Sequence, residues 1–142
     1  MTKINSLTFG EIEIDDSTVY TFDGGIPGLS TIKRYAIVES EELAPFSWLQ
    51  SCESPFISMM MLDPTLIDPT YKVRLNNEHE ALIGQFTPDD VGVRVLVVVP
   101  QDPSQMTANL LAPIILNPKT LKGAQIVVEG TREMLRVKVI SS

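Results

Sequence analysis

Apolar and polar side chains alternate along much of this chain, and a period of two is typical of strands with one buried face. Residues 7–14 alternate apolar with mostly acidic side chains, once a bulge at Gly10 is allowed. A turn at residues 15–17 then leads to a returning strand at residues 18–22. This stretch therefore predicts a β-hairpin.

Turn-forming residues separate the later elements. Residues 24–28 contain three glycines and a proline, which predicts a tight loop with positive φ angles. The spacing of Leu29, Ile32 and Tyr35 predicts a short helical turn after this loop, and residues 63–70 predict a proline-rich crossing. Further strands are predicted at residues 35–39, 46–51, 56–62, 71–75, 93–99, 124–129 and 134–140.

One short helix is predicted among these strands. Asn76 or Asn77 can cap its first turn, and Leu82, Ile83 and Phe86 would face inward. About nine short strands with one or two short helices predict a mainly β fold. We expect a small antiparallel β-barrel-like domain.

The composition fits a single hydrophobic core. The chain has 142 residues, of which 44% are apolar and 20% are charged, so it has enough apolar surface to offset the entropy of ordering. No repeat or linker divides it. We therefore expect one domain over residues 1–142.

The net charge of −7 argues against binding to nucleic acid or to an anionic membrane. Residues 1–71 carry 11 acidic and three basic side chains, whereas residues 72–142 carry seven and eight. The acidic half could attract a basic partner, or it could simply be a soluble surface. Because no signal peptide or membrane-spanning run is evident and Cys52 is the only cysteine, we expect a cytoplasmic protein.

Candidate catalytic groups are few. A pairing of Cys52 with His79 would leave the thiol beside Glu53, and a neighbouring carboxylate raises the pKa of a thiol. Glu11 and Glu13 are spaced as the solvent face of a strand. No His or Cys spacing suits a metal, and no glycine motif suits a phosphate. We therefore expect a binding protein that is not an enzyme and uses no cofactor or metal.

Residues 106–117 form the most unusual segment. The run is apolar at successive positions, so both faces of a strand here would need cover, while Pro113 removes a ladder donor and favours a sheet edge. One interpretation is an exposed docking site for a partner. The other is that the helix or the proline-rich crossing covers the outer face.

Residues 45–51 contain the only tryptophan. Phe46 and Trp48 would share one face of the predicted strand, which makes that face strongly aromatic. A place in the core is favoured over an interface.

Four motifs in chain order resemble the FliW family of flagellar assembly factors. They are FGEIEI at residues 9–14, GIPG at 25–28, PFSWLQS at 45–51 and MTANLLAPI at 106–114. The resemblance covers about residues 7–128 of the chain. The tail at residues 130–142 departs from it.

The resemblance implies a compact β-barrel-like fold and a regulatory protein without catalysis. FliW proteins bind the RNA-binding translational repressor CsrA, which frees flagellin messages for translation, and they also bind flagellin. The implied partners are therefore a CsrA-like repressor and flagellin, without direct nucleic-acid contact, and we expect a monomer when the protein is free. The expected protein-binding residues are Met106, Thr107, Asn109, Leu111 and Pro113, together with Phe46, Trp48 and Gln50.

Two other functions remain open from the sequence. The first is a small barrel that binds a ligand or hydrolyses one weakly through Cys52 or the Glu11 and Glu13 row. The second is a structural subunit of a larger assembly, with residues 7–14 or 106–117 as a permanent interface.

Overall fold

The computed structural model describes residues 2–139, in which seven of the strands close into a barrel. The strands are β1 (Thr2–Ser6), β2 (Gly10–Ile14), β3 (Val19–Thr21), β4 (Arg34–Val38), β5 (Ser47–Ser51), β6 (Ser58–Leu62), β7 (Gly92–Val98), β8 (Thr107–Ala108), β9 (Ile114–Asn117), β10 (Lys122–Gln125) and β11 (Val137–Lys138). The barrel order is β7-β6-β5-β4-β3-β10-β9, and β9 pairs back with β7. The prediction of a mainly β, barrel-like fold is confirmed.

Neighbouring barrel strands are antiparallel, with one exception. β3 and β10 run parallel and meet at Thr21 and Lys122. Closure gives every barrel strand a partner on both sides. β8 and β11 extend this sheet from β7 outside the ring.

The barrel interior is filled by alternate residues of these strands. Tyr35, Leu49, Met61 and Ile114 are fully buried there, and Phe22 packs edge-on against Tyr35 with ring centroids 5.3 Å apart. A barrel of this size has room for side chains and little else. The interior is therefore the main hydrophobic core.

β1 and β2 form a separate hairpin, which corrects the prediction that residues 7–14 pair with residues 18–22. β2 pairs with β1, whereas β3 pairs with β4 and β10, and a 3-10 turn at Asp16–Thr18 separates β2 from β3. Ile4 and Ile14 bury against the outside of the barrel. The alternation continues through the turn between β1 and β2, so the pattern could not reveal the reversal.

The glycine loop has the predicted geometry, with positive φ at Gly25 (70°) and Gly28 (85°). The helical turn predicted from Leu29, Ile32 and Tyr35 is wrong. A backbone bridge joins Leu29 to Ile26, and Tyr35 belongs to β4. The spacing of three reflects separate contacts with the same core.

The short helix α1 (Glu80–Ile83) follows a 3-10 turn at Asn77–His79 and confirms the predicted helix. Asn76 is the cap: its Oδ1 accepts from Glu78 N at 2.9 Å, and its backbone N–H donates to His79 Nδ1 at 3.0 Å. Ile83 is buried as predicted. Leu82 is instead exposed, because one turn of helix presents only one side to the barrel.

The strand predicted at residues 71–75 is wrong, and the strand predicted at residues 134–140 is confirmed only over two residues. Residues 71–75 are extended without a ladder, although Val73 and Leu75 still pack inward. At the C-terminal end, a 3-10 turn at Arg132–Arg136 precedes the two-residue strand β11, and Ile140 lies outside the described residues. Alternation reports which side chains are buried, and burial does not require a strand partner.

Candidate functional site

The segment at residues 106–117 divides into three parts with different surroundings. β8 carries its first residues, a loop follows, and β9 ends it. β9 lies between β10 and β7, and all four of its residues are buried. The prediction that this part lies near a sheet edge is therefore wrong, because closure of the barrel turned a potential edge into an interior strand.

The outer face of β9 is covered by α1. Ile115 packs in a cluster with Ile83, and Asn117 Nδ2 donates to Ile83 O at 2.9 Å and to Gln85 O at 3.0 Å. The apolar residues of β9 thus have cover on both faces. For this part of the segment, the structure supports the interpretation in which the helix covers the strand.

Met106 and Pro113 are also buried, which corrects their assignment as contact residues. Met106 packs in a cluster with Val97 and Leu110, and Pro113 O accepts from Ile126 N at 3.0 Å. Pro113 is fully buried and Met106 is only 8% exposed, so these side chains offer little surface to a partner. They hold the segment onto the barrel.

Thr107, Asn109 and Leu111 remain half-exposed. Asn109 Oδ1 accepts from Leu111 N at 3.1 Å and from Ala112 N at 3.0 Å, so this side chain shapes the turn that presents Leu111. The candidate contact part of the segment is therefore the loop after β8.

Trp48 is half-buried on the outer face of β5. Its ring contacts Phe9 edge-on at a centroid distance of 5.7 Å, and Phe46 at 6.5 Å. Edge-to-face pairs of this kind contribute about 0.5–1.5 kcal/mol beyond the area they bury. The prediction that Phe46 and Trp48 share a face agrees with this contact, and both rings keep part of their surface in solvent.

Gln50 is fully buried, which corrects its assignment as a contact residue. Ser6 Oγ donates to Gln50 Oε1 at 2.7 Å, and Gln50 Nε2 donates to Ser51 O at 3.1 Å. Because Gln50 points outward from β5 beneath the hairpin, it fastens β1 to the barrel. Its role is structural.

Two further apolar residues, which were not singled out from the sequence, are largely exposed. Leu7 is 74% exposed and Phe56 is 72% exposed, and Leu7 N donates to Pro55 O at 2.8 Å, which brings the two segments together. We call Leu7, Phe9, Phe46, Trp48 and Phe56 the aromatic surface. Exposure of Phe56 has no signal in the pattern, because a Phe after a proline also suits the start of a buried strand.

The two predicted regions meet through Phe46. It packs against the cluster that contains Met106, Ala108 and Leu110. The aromatic surface and the loop after β8 are thus joined by one apolar cluster. Of the predicted contact residues, Phe46 and Met106 are joined directly by this cluster.

Exposed carboxylates flank this region. Glu41 and Glu42 are exposed in the loop that leads to Phe46, and Glu11 and Glu13 are exposed on β2. Within residues 2–139, the ion pair at this end of the molecule joins Lys3 to Glu11 at 4.0 Å, between two largely exposed side chains. The region therefore presents apolar and negative groups together.

Cys52 and His79, which were considered as a catalytic pair, have separate surroundings. Burial raises the pKa of the Cys52 thiol; Arg34 opposes this and Glu53 adds to it. His79 is held in the helix cap by Asn76 N. Across the described part of the chain, no three His, Cys, Asp or Glu side chains lie close enough together to hold a metal ion.

Within residues 2–139, no helix is long and apolar enough to cross a membrane.

Comparison with known proteins identifies the family. The family model described as FliW protein matches residues 3–139. A flagellar assembly factor FliW from Caldanaerobacter subterraneus is 31% identical over 97% of this chain and 93% of that protein, and one from Thermotoga petrophila is 37% identical over 89% and 86%. A crystal structure of the flagellar assembly factor FliW superimposes with a TM-score of 0.89 at 28% identity, covering 99% of both chains.

The match confirms the resemblance seen in the four motifs and corrects its extent. The family model continues through residues 130–139, where the sequence motifs had indicated a departure. Those residues form the 3-10 turn and β11, which pack on the segment that contains Met106. This chain belongs to the FliW family.

Proposed function

We propose that this chain is a regulatory binding protein that antagonises a CsrA-type translational repressor and also binds flagellin. Flagellin that has not been exported would occupy the protein, and repression of flagellin synthesis would return. Support comes from membership of the FliW family, whose relatives are named flagellar assembly factors. The observation that carries the proposal is the exposed aromatic surface.

The aromatic surface has the properties of a protein-binding site. Leu7 and Phe56 leave most of their apolar area in water, and Trp48, which contacts Phe9, is partly exposed. Burial of an exposed aromatic side chain stabilises a complex by about 1.5–3 kcal/mol, and Trp is enriched among residues that dominate binding energy. Thr107, Asn109 and Leu111 extend the proposed contact area beyond Phe46.

The negative charge near the aromatic surface favours a basic partner. Glu41 and Glu42 border the apolar area, and the chain as a whole carries −7. A repressor that binds RNA needs a basic surface, and opposite charge accelerates association with such a partner. Binding of that basic surface would oppose its binding to RNA.

The first test is calorimetric titration of the full chain with the cognate repressor and, separately, with monomeric flagellin. We expect a complex with each at micromolar concentration or tighter. Phe56→Ser should weaken repressor binding about tenfold, in the range typical of an exposed anchor. Absence of a complex with both proteins at micromolar concentrations would refute the proposal.

Leu82→Ser is the matched control. Leu82 is also an exposed apolar residue, but it lies on α1, which packs on β9 and β10, opposite β5 across the barrel. We expect this variant to bind both partners as the original chain does. Equal losses in both variants would show that the aromatic surface is not the specific contact.

A second test addresses antagonism and competition. The protein should displace the repressor from its target RNA in a gel-shift assay, and added flagellin should restore the repressor–RNA complex. Each tenfold difference in affinity between the two partners corresponds to about 1.4 kcal/mol. If flagellin binds without releasing the repressor, the proposed switch is wrong even though both bind.

A further inference from the structure

One end of the barrel is open and polar, in contrast to its packed middle. A cavity of about 260 Å³ enters there. Its lining includes the apolar side chains of Ile37, Met61 and Leu116. Its charged lining residues are Arg94, Glu39 and Asp90, and Asp90 is already paired with Lys119 at 2.9 Å. Small-molecule sites typically combine an apolar body with a few polar groups, and this volume suits a small ligand.

The cavity exists because two interior positions have small residues. Ser47 and Gly92 line it where other barrel positions carry large side chains. A Cβ on Gly92 would meet no atom closer than 3.9 Å, so close packing does not explain the glycine. The open space is a property of the sequence at these positions.

Arg94 has unused hydrogen-bonding capacity in this cavity. Its Nη1 donates to Val93 O at 2.8 Å. Within residues 2–139, no carboxylate oxygen lies within 4.0 Å of its side-chain nitrogens. A guanidinium carries five donors and binds a carboxylate through two parallel hydrogen bonds. The side chain is half-buried, so a carboxylate bound there would be partly shielded from water.

Glu39 supplies the opposite charge at the same opening. Burial raises the pKa of the Tyr20 hydroxyl, Glu39 adds to this effect and Arg94 opposes it, so both charges act on the same hydroxyl. Tyr20 itself lines the cavity between them. A positive and a negative group therefore face a shared space above an apolar floor.

We infer that this barrel end binds a small zwitterion, namely an α-amino acid with an aliphatic or thioether side chain. The ligand carboxylate would pair with Arg94, its ammonium group with Glu39, and its side chain would contact Met61 and Leu116. The inference does not depend on the repressor or flagellin, because neither the aromatic surface nor the loop after β8 lines the cavity.

The test uses L-leucine as the probe, followed through the amide chemical shifts of Tyr20, Gly92 and Arg94 in the full chain. We expect saturable shifts with a dissociation constant on the order of 0.1–1 mM, which is reasonable for so small a ligand. Isovalerate lacks the ammonium group and isoamylamine lacks the carboxylate. Each should bind about tenfold more weakly, because each loses one charge-assisted contact.

Three variants locate the site. Gly92→Val adds three carbon atoms at the cavity wall without altering its charges and should weaken leucine binding about tenfold. Arg94→Met should weaken leucine binding about tenfold. Arg74→Met removes an exposed arginine outside the cavity and should leave binding unchanged. Thermal melting of each variant verifies that it is folded.

Three results would overturn the inference. The first is the absence of a saturable shift with leucine up to about 10 mM, a range that includes weak small-molecule binding. The second is binding of isovalerate as tight as that of leucine. The third is undiminished leucine binding by folded Gly92→Val. The second result would show that Glu39 takes no part.

Discussion

Strands β5 and β9 both belong to the closed barrel, but their outer faces have different surroundings. On the outer face of β5, Trp48 keeps part of its ring in solvent. In β9, every side chain is buried, because ladders on both sides and α1 enclose it. An apolar segment therefore indicates that its side chains favour burial, but whether they are buried depends on segments that are distant in the sequence.

The largest expected change in stability concerns the buried strand β9. Ile115→Ala should lower the free energy of unfolding by about 2–5 kcal/mol, because it leaves a cavity between β9 and α1. Urea denaturation measures the loss. Val127→Ala, at a residue 78% exposed, should change it by less than about 0.5 kcal/mol. Similar small losses in both would mean that α1 does not seal β9.

The next effect concerns the attachment of the hairpin beside the aromatic surface. Gln50→Leu removes the acceptor of the Ser6 hydroxyl and should lower stability by about 1–2 kcal/mol. Amide exchange in β1 should accelerate more than exchange in β9, because the hairpin loses a fastening point. Gln105→Met, at an exposed residue, is the control. Unchanged exchange in β1 would show that apolar contacts alone hold the hairpin.

A smaller effect on stability is expected at the half-exposed residue Leu111. Leu111→Asp should weaken repressor binding about tenfold, while the free energy of unfolding falls by less than about 1 kcal/mol. Titration and urea denaturation measure the two quantities separately. Leu82→Asp on α1 is the matched control for binding. A large loss of stability in Leu111→Asp would assign this residue to the core instead.

The smallest effect concerns acid sensitivity of the turns that join the elements. Asp68 Oδ1 accepts from the Thr70 hydroxyl at 2.7 Å and from Thr70 N at 3.0 Å, and these bonds lower the pKa of the carboxyl. The same arrangement occurs at Asp15, Asp63 and Asp102. A lowered folded-state pKa gives stability that is present above the unfolded pKa and is lost as pH falls through the folded pKa.

Asp68→Asn tests this link, because the amide keeps an acceptor oxygen but does not titrate. Between about pH 5 and pH 3, the variant should lose slightly less stability than the original chain. Urea denaturation at several pH values provides the comparison. Identical pH profiles would show that the turn does not contribute.

Sequence-based prediction succeeded for the barrel strands and for the helix cap. Apolar and β-branched runs bounded by turn residues located β4, β5, β6 and β7, because each strand buries side chains against the barrel. The cap at Asn76 was predictable because its hydrogen bonds are local. Helix capping and the pattern of buried side chains can both be predicted from short stretches of sequence.

The exposure of the predicted contact residues could be inferred from the sequence only in part, for a physical reason. Phe46 and Trp48 were identified by composition, whereas exposure of Leu7 and Phe56 depends on how the hairpin turn lies beside Pro55. Gln50 was predicted as a contact residue because it lies in the same motif as Trp48. Its side chain instead binds Ser6, which is 44 residues away in the sequence. No local pattern could have indicated that bond.

The sequence by itself determined the β character of this protein, the short capped helix and the motifs that resemble the FliW family. Only the tertiary structure decided which apolar residues remain exposed. Barrel closure paired β9 on both sides, α1 covered its outer face, and Gly92 with Ser47 left one end of the barrel open. The reason is that exposure depends on contacts between residues far apart in the chain, whereas sequence patterns report what each short stretch requires.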